Sequence, residues 1–151
     1  MEVEKSVAVI IFRKEEDFRF LLLWKKASDH YREAWEFPKG NSDKGESEMQ
    51  TAVRELQEET GLKENQLEFY DFHDKISFFY RREDQGLIRK EVSFLMARTT
   101  RNEITISSEH DSFRWAPYLE AFDLLNQKNN KEILRKAYDF LKKKFAQKTI
   151  F

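Results

Sequence analysis

From Ser6 to Phe12 the chain reads Ser-Val-Ala-Val-Ile-Ile-Phe, an apolar run with no polar residue after the first. A strand with one wet face alternates polar and apolar residues, so an unbroken run of this length reads as a strand buried on both faces. Lys14–Asp17 then forms a polar turn, and Phe18–Trp24 resumes a strand pattern, which makes the pair a hairpin. Ala27–Ser47 reads as loop, with a short strand around Trp35–Phe37, and Glu48–Thr60 reads as a helix stopped by Gly61. Leu67–Arg81 and Glu91–Ala97 are strand candidates separated by the turn Asp84-Gln85-Gly86, and Phe113–Trp115 is a short strand ended by Pro117. Tyr118–Phe145 reads as helix broken near Asn129-Asn130, with Ile133, Ala137, Leu141 and Phe145 as an apolar stripe turned to the core. Strands, one early helix, more strands and a helical end predict a mixed sheet with helices packed on it.

The 151 residues are 40% hydrophobic, enough for a core in one domain over 1–151 with no linker or repeat dividing it. Charged residues make up 36% of the chain, yet 27 basic and 28 acidic side chains leave a net charge of −1. No global field then draws the protein to DNA or a membrane, and any phosphate-rich ligand must be held by local charge. Cysteine is absent, which removes disulfides, thiolate metal sites and cysteine nucleophiles. The charged start Met-Glu-Val-Glu-Lys lacks the order of a signal peptide, and no apolar run is long enough to span a bilayer, so a cytoplasmic protein is expected.

The chemistry concentrates between Gly40 and Leu62. At about 100° per residue, Glu55 and Glu59 lie about 40° apart on a helix, with Glu58 about 60° to the other side of Glu55. Three carboxylates therefore share one face, while Met49, Ala52, Val53 and Leu56 form the neighbouring face expected against the sheet. Like charges so placed repel, and two lie near the helix C-terminus, where the dipole disfavours them. A divalent cation removes both penalties, and hard oxygen ligands suit Mg²⁺ held between carboxylates and phosphates. Taken alone, the acidic face also reads as solvated surface, as charge runs usually do.

The wider spacing favours the ligand-binding reading. Gly40, Glu46, Arg54-Glu55-Leu56, Glu58-Glu59 and Gly61-Leu62 stand at the fixed positions of the Nudix box, and the chain resembles the Nudix hydrolase family. The resemblance implies an α/β/α sandwich with a mixed β-sheet and a catalytic loop–helix–loop, with Mg²⁺ or Mn²⁺ between the box glutamates and a diphosphate. It implies Glu55, Glu58 and Glu59 as metal ligands, one of the glutamates as general base, Arg54 orienting them through an ion pair with Glu46, and Gly40, Glu46 and Gly61 as structural positions.

Two further segments are similar to the asymmetric dinucleoside tetraphosphate hydrolases within that family. One is Trp35-Glu36-Phe37-Pro38-Lys39-Gly40, and the other is Ser108-Glu109-His110 followed by Phe113 and Trp115. The resemblance implies a nucleotide polyphosphate substrate, most closely diadenosine tetraphosphate cleaved to ATP and AMP. Lys39 and Lys90 are point charges able to hold polyphosphate, Glu109 is an extra ligand or catalytic base, and Tyr80 is a candidate to stack on a purine. Of the aromatics Phe78, Phe79 and Tyr80, alternating along a strand, at least one is expected to face the core. His110 reads as a helper or structural histidine, Trp115 as core packing, and Arg81-Arg82 as a solvated pair or a phosphate contact. Asn41 departs from the histidine frequent after the box glycine in that group. Nucleoside triphosphate, ADP-ribose or RNA 5′-end hydrolysis, and a non-catalytic nucleotide-binding module, remain alternatives.

Overall fold

The structure is a computed structural model, and it describes residues 2–29 and 32–146. His30 and Tyr31, in the expected loop, lie outside the described residues. The apolar run becomes the middle of a long strand, β1 (Glu2–Lys14), and β2 (Phe18–Lys25) returns antiparallel with Phe12 opposite Phe20. Beyond that point β1 and β2 take separate partners. β3 (Ala34–Glu36) pairs with β2, and β4 (Lys39–Asn41) pairs with β1 across Ser6–Ala8. The single strand expected around Trp35–Phe37 is thus two short ones, divided at Phe37-Pro38, where proline supplies no backbone donor.

The first helix, α1 (Glu48–Thr60), is followed by a short 3₁₀ turn, Glu64–Gln66. Next come β5 (Glu68–Arg82) and β6 (Gly86–Arg98), which form an antiparallel hairpin. β6 runs parallel to β1 from Ile88 opposite Glu2 to Arg98 opposite Phe12. Pairing with β5 from Gly86 and with β1 from Ile88 extends β6 back from the expected start at Glu91. β7 (His110–Pro117) adds to the other edge of β2, so the central path β3-β2-β1-β6-β5 is a mixed sheet.

The double burial of β1 is divided by residue parity. Ala8, Ile10 and Phe12 pack with Phe20, Leu22, Phe94 and Met96 against α2 (Tyr118–Leu124) and α3 (Lys128–Ala146) through Ala121, Ile133, Leu134, Ala137 and Leu141, joined by Leu125 just beyond α2. Val7, Val9 and Ile11 pack with Leu21, Leu23 and Leu95 against Ala52 and Leu56 of α1. The result is an α/β/α sandwich.

Three features differ from what the sequence pattern predicts. The helical end breaks at Leu125–Gln127, because fully buried Leu125 leaves the helix to bridge Trp35; Asn129 and Asn130 lie in the first turn of α3. None of Phe78, Phe79 and Tyr80 is fully buried: Phe78 is 42% and Phe79 57% exposed, and Tyr80 is half-buried with its hydroxyl donating to Glu4, while Ile88, opposite Tyr80 on β6, takes the buried position. On α1, Met49 is exposed at 43% and Thr51 is buried in its place, its hydroxyl donating to the Ser47 carbonyl and lying near Ser42 and Glu46. No helix among the described residues is long and apolar enough to cross a membrane.

Candidate active site

The site begins with the entry to α1. Ser47 caps the helix by accepting from the Gln50 amide, and the Gln50 side chain accepts from the Ser47 amide; such a cap is worth about 1 kcal/mol. Glu48 accepts from Ser93 and meets His73 Nε2 at 2.9 Å, which fixes the first turn against β5 and β6. At the far end Gly61 adopts φ 75° and returns its amide to the Gln57 carbonyl, a left-handed stop open to glycine without strain. The helix is thereby held at both ends, and its acidic face is set against β4.

Arg54 organises that face. Its Nε donates to Glu46 Oε2 at 2.8 Å and its Nη2 to Glu46 Oε1 at 2.9 Å, a bidentate pair. Nη1 donates to Glu55 at 2.7 Å and lies 3.5 Å from Glu58, while Nη2 also reaches the Asn41 carbonyl at 2.9 Å. One guanidinium therefore ties the loop, the helix and β4 together. The Glu46 carboxyl sits at about 2, held down by the Arg54 hydrogen bonds and then by the Asp43 amide. Since this lies below the ordinary value of 4.5, the pair stabilises the fold above pH 4.5 and loses that contribution as pH falls toward about 2. Glu46→Gln should therefore melt lower than wild type at pH 7, and the gap in Tm should close between about pH 4.5 and about pH 2. A gap independent of pH would show that the charge of Glu46 is irrelevant to stability.

Gly40 explains how Glu55 approaches the sheet. A Cβ at position 40 would lie 1.9 Å from Glu55 Cδ and 2.2 Å from its Oε2. The Glu55 carboxyl rests directly on the β4 backbone, and the bare Cα supplies the space. Glu59, 5% exposed, accepts from the Lys39 amide at 2.8 Å. Its carboxyl is pushed up to about 8 by burial, against that hydrogen bond, and by the charges of Glu36, Glu55 and Glu109. Glu55 is also raised, by burial first and then by Glu58 and Glu109, with Arg54 acting in opposition. Glu109, in the exposed turn before β7, thus bears electrostatically on both carboxyls.

This donor set fits a hard divalent cation. Buried and part-buried carboxyls crowd one turn of helix, their negative forms are disfavoured as they stand, and every donor is oxygen. As placed, no three acidic or histidine side chains among the described residues converge closely enough to enclose an ion; Glu55 is turned to Arg54 and Glu59 to the Lys39 amide.

The structure brings Lys39, Gly40, Glu46, Arg54, Glu55, Glu58 and Glu59 into one neighbourhood. Lys90 and Tyr80 form a second cluster joined to it through Asn41, whose side chain accepts from Lys90 Nζ at 2.9 Å. Two members were not singled out from the sequence. Glu36 accepts from or pairs with buried His110 at Nε2 (3.1 Å) and lies 4.0 Å from Lys39 Nζ. Glu4 lies in the second cluster. The signal for Glu36 was its place inside Trp-Glu-Phe-Pro-Lys-Gly; for Glu4 the local sequence held none. Trp115 is half-buried at the edge of the α1-side core, with its indole donating to the Asn102 carbonyl and Arg13 over its ring.

The NUDIX domain family matches residues 3–138. The asymmetrical bis(5′-nucleosyl)-tetraphosphatase of Mus musculus is 31% identical over 147 residues, covering 91% of this chain and 95% of the relative. The enzyme of the same description from Caenorhabditis elegans is 30% identical over 142 residues, covering 92% and 97%. A crystal structure of a C. elegans Ap4A hydrolase binary complex superposes with a TM-score of 0.78 at 30% identity, covering 91% of this chain and 97% of that one. Helix, loop and sheet thus agree with a family profile spanning nearly the whole chain, and the protein belongs to the Nudix hydrolases as a Nudix pyrophosphohydrolase.

Proposed function

We propose that the enzyme hydrolyses diadenosine tetraphosphate asymmetrically to ATP and AMP, with Mg²⁺ as the metal and Mn²⁺ able to replace it. The observation that carries the reading is the acidic turn of α1 lying on Gly40, next to Lys39, in a chain that aligns almost end to end with two asymmetrical tetraphosphatases. Nudix hydrolases generally use divalent metal ions, and Glu55, Glu58 and Glu59 are the residues proposed to hold one here. When bound, such an ion neutralises phosphate charge and acidifies coordinated water.

The chain's own groups supply the rest. Arg54 holds Glu55 and Glu58 at one edge of the acidic face, fixing them before substrate arrives. Lys39 reaches out from β4 with its side chain 41% exposed, placed to meet a phosphate. Lys90 offers a second cation, and Tyr80 a ring for an adenine. Glu58 or Glu109, both solvent-facing, is the proposed acceptor of the proton from the attacking water. Water adds to one phosphorus, the bridging P–O bond breaks, and the two products separate as ATP and AMP.

Lys39→Ala should raise KM roughly 10–100-fold with kcat largely kept, the scale of losing one charge-assisted hydrogen bond. An unchanged KM would remove Lys39 from phosphate binding. The substrate assignment is tested with diadenosine tetraphosphate in ¹⁸O-labelled water, beside a nucleoside triphosphate and ADP-ribose. The expected result is metal-dependent formation of ATP and AMP, with kcat/KM highest for the dinucleotide. Faster cleavage of either alternative would reassign the substrate, and nucleotide binding without turnover would make the chain a binding module.

A further inference from the structure

The carboxylate of Glu4 collects donors from two neighbouring strands. Lys90 Nζ donates to Oε1, while the Tyr80 hydroxyl (2.8 Å) and Arg82 Nη2 (2.6 Å) donate to Oε2. The register brings them together, since Glu4 faces Lys90 across the parallel β1–β6 pair and Tyr80 and Arg82 follow on β5. The Glu4 and Lys90 side chains are only 20% and 14% exposed, so this is a sheltered junction rather than a loose surface pair. Arg82 Nη2 also donates to the Tyr80 hydroxyl at 2.7 Å, and its guanidinium lies 5.5 Å from the centre of that ring. Lys90 continues to Asn41, and the Asn41 carbonyl takes Arg54, so the junction is hydrogen-bonded through to the acidic face.

We infer that Glu4 is a positioning residue for substrate: it fixes the Lys90 ammonium and the Tyr80 ring in the arrangement that receives the phosphate chain and one base of a dinucleoside polyphosphate. The inference rests on the reading of Lys90 and Tyr80 as substrate-binding residues. A lysine ammonium carries three donors, and those directed at Glu4 and Asn41 leave one for a phosphate oxygen. The lysine stem is flexible, so anchoring it in the free enzyme removes an ordering cost from the binding step. The Tyr80 hydroxyl is held as donor to Glu4 and acceptor from Arg82, which sets the ring, and with Arg82 over one side a base takes the other. A carboxylate that merely neutralised nearby cations would act in the opposite sense, since its removal would free Lys90 and Arg82 to attract phosphate more strongly.

The test is steady-state kinetics on diadenosine tetraphosphate with Mg²⁺ for Glu4→Ala, Glu4→Gln, Lys90→Met and the Glu4→Ala/Lys90→Met double variant, with Tm recorded for each. Glu4→Ala should raise KM about tenfold with kcat within about twofold of wild type. Glu4→Gln, which keeps one acceptor oxygen, should recover part of that loss. The double variant should fall short of the product of the two single effects, keeping only the part of the Glu4 loss that runs through Tyr80, the non-additivity expected when one residue acts partly through the other. An unchanged or lowered KM in Glu4→Ala, or additive effects in the double variant, would overturn the inference. If Lys90→Met itself leaves KM unchanged, the reading of Lys90 fails and the inference with it; if Lys90→Met raises KM while both Glu4 variants are silent, the inference alone fails.

Discussion

Glu58→Gln should lower kcat by roughly 10²–10⁴-fold, the range for a positioned acid–base group, while the fold is kept. Glu58 is the most exposed of the three helix carboxylates, with 58% of its side chain open, and Arg54 touches it at 3.5 Å against 2.7 Å for Glu55. Its carboxylate is therefore the most accessible to water and ligand. The same exposure makes the substitution benign for stability. An exposed pair four residues apart on a helix contributes about 0.3–0.5 kcal/mol, so Tm should move by no more than a degree or two. Circular dichroism melting beside turnover separates the two effects. A variant with activity near wild type would take Glu58 out of the mechanism.

Gly40→Ala should be nearly as damaging, for a different reason. The residue carries no catalytic group, but an added Cβ would overlap Glu55 Cγ, Cδ and Oε2, all within 2.4 Å. The conflict is with the end of a side chain, so Glu55 can move aside and the fold survives, with a stability loss of about 1 kcal/mol. The displaced carboxyl then leaves its hydrogen bond to Arg54 and its place on β4. A misplacement of about 1 Å at a reacting centre can cost roughly 10²-fold in rate, and a fall in kcat/KM of that order is expected. Measured together, near-normal urea unfolding and a hundredfold activity loss would identify Gly40 as a space-maker for Glu55. Full activity would show that Glu55 need not lie where it does.

Some levels of this fold are legible in one dimension and others are not. The doubly buried β1 could be read because burial on both faces leaves an unbroken apolar run, and its parity then assigns Val7, Val9 and Ile11 to α1 and Ala8, Ile10 and Phe12 to α3. The carboxyl face of α1 could be read because helical geometry converts spacing directly into direction. Gly40 was legible as a box position, but its contact with Glu55 depends on how close α1 packs to β4, which no local pattern encodes. Glu4 and Lys90 meet through a parallel pairing of distant strands, and Glu36 and His110 flank β2 from opposite edges. Such pairings arise from strand register, so Lys90 and His110 could be singled out one by one through the resemblance, but their pairing with Glu4 and Glu36 could not. The alternation argument failed at Phe78 and Phe79, which stay exposed, while the buried residue in that part of the hairpin is Ile88, opposite Tyr80 on β6.

The proposed chemistry requires the carboxyls of α1 to hold a divalent ion against a polyphosphate. Crystals grown with Mn²⁺ and a non-hydrolysable diadenosine tetraphosphate analogue can show this through the anomalous scattering of the metal. The expected result is a strong peak bonded to carboxyl oxygens of the Glu55, Glu58 and Glu59 group and to a phosphate oxygen of the analogue. An analogue bound without metal at that turn, or metal bound only elsewhere on the protein, would contradict it.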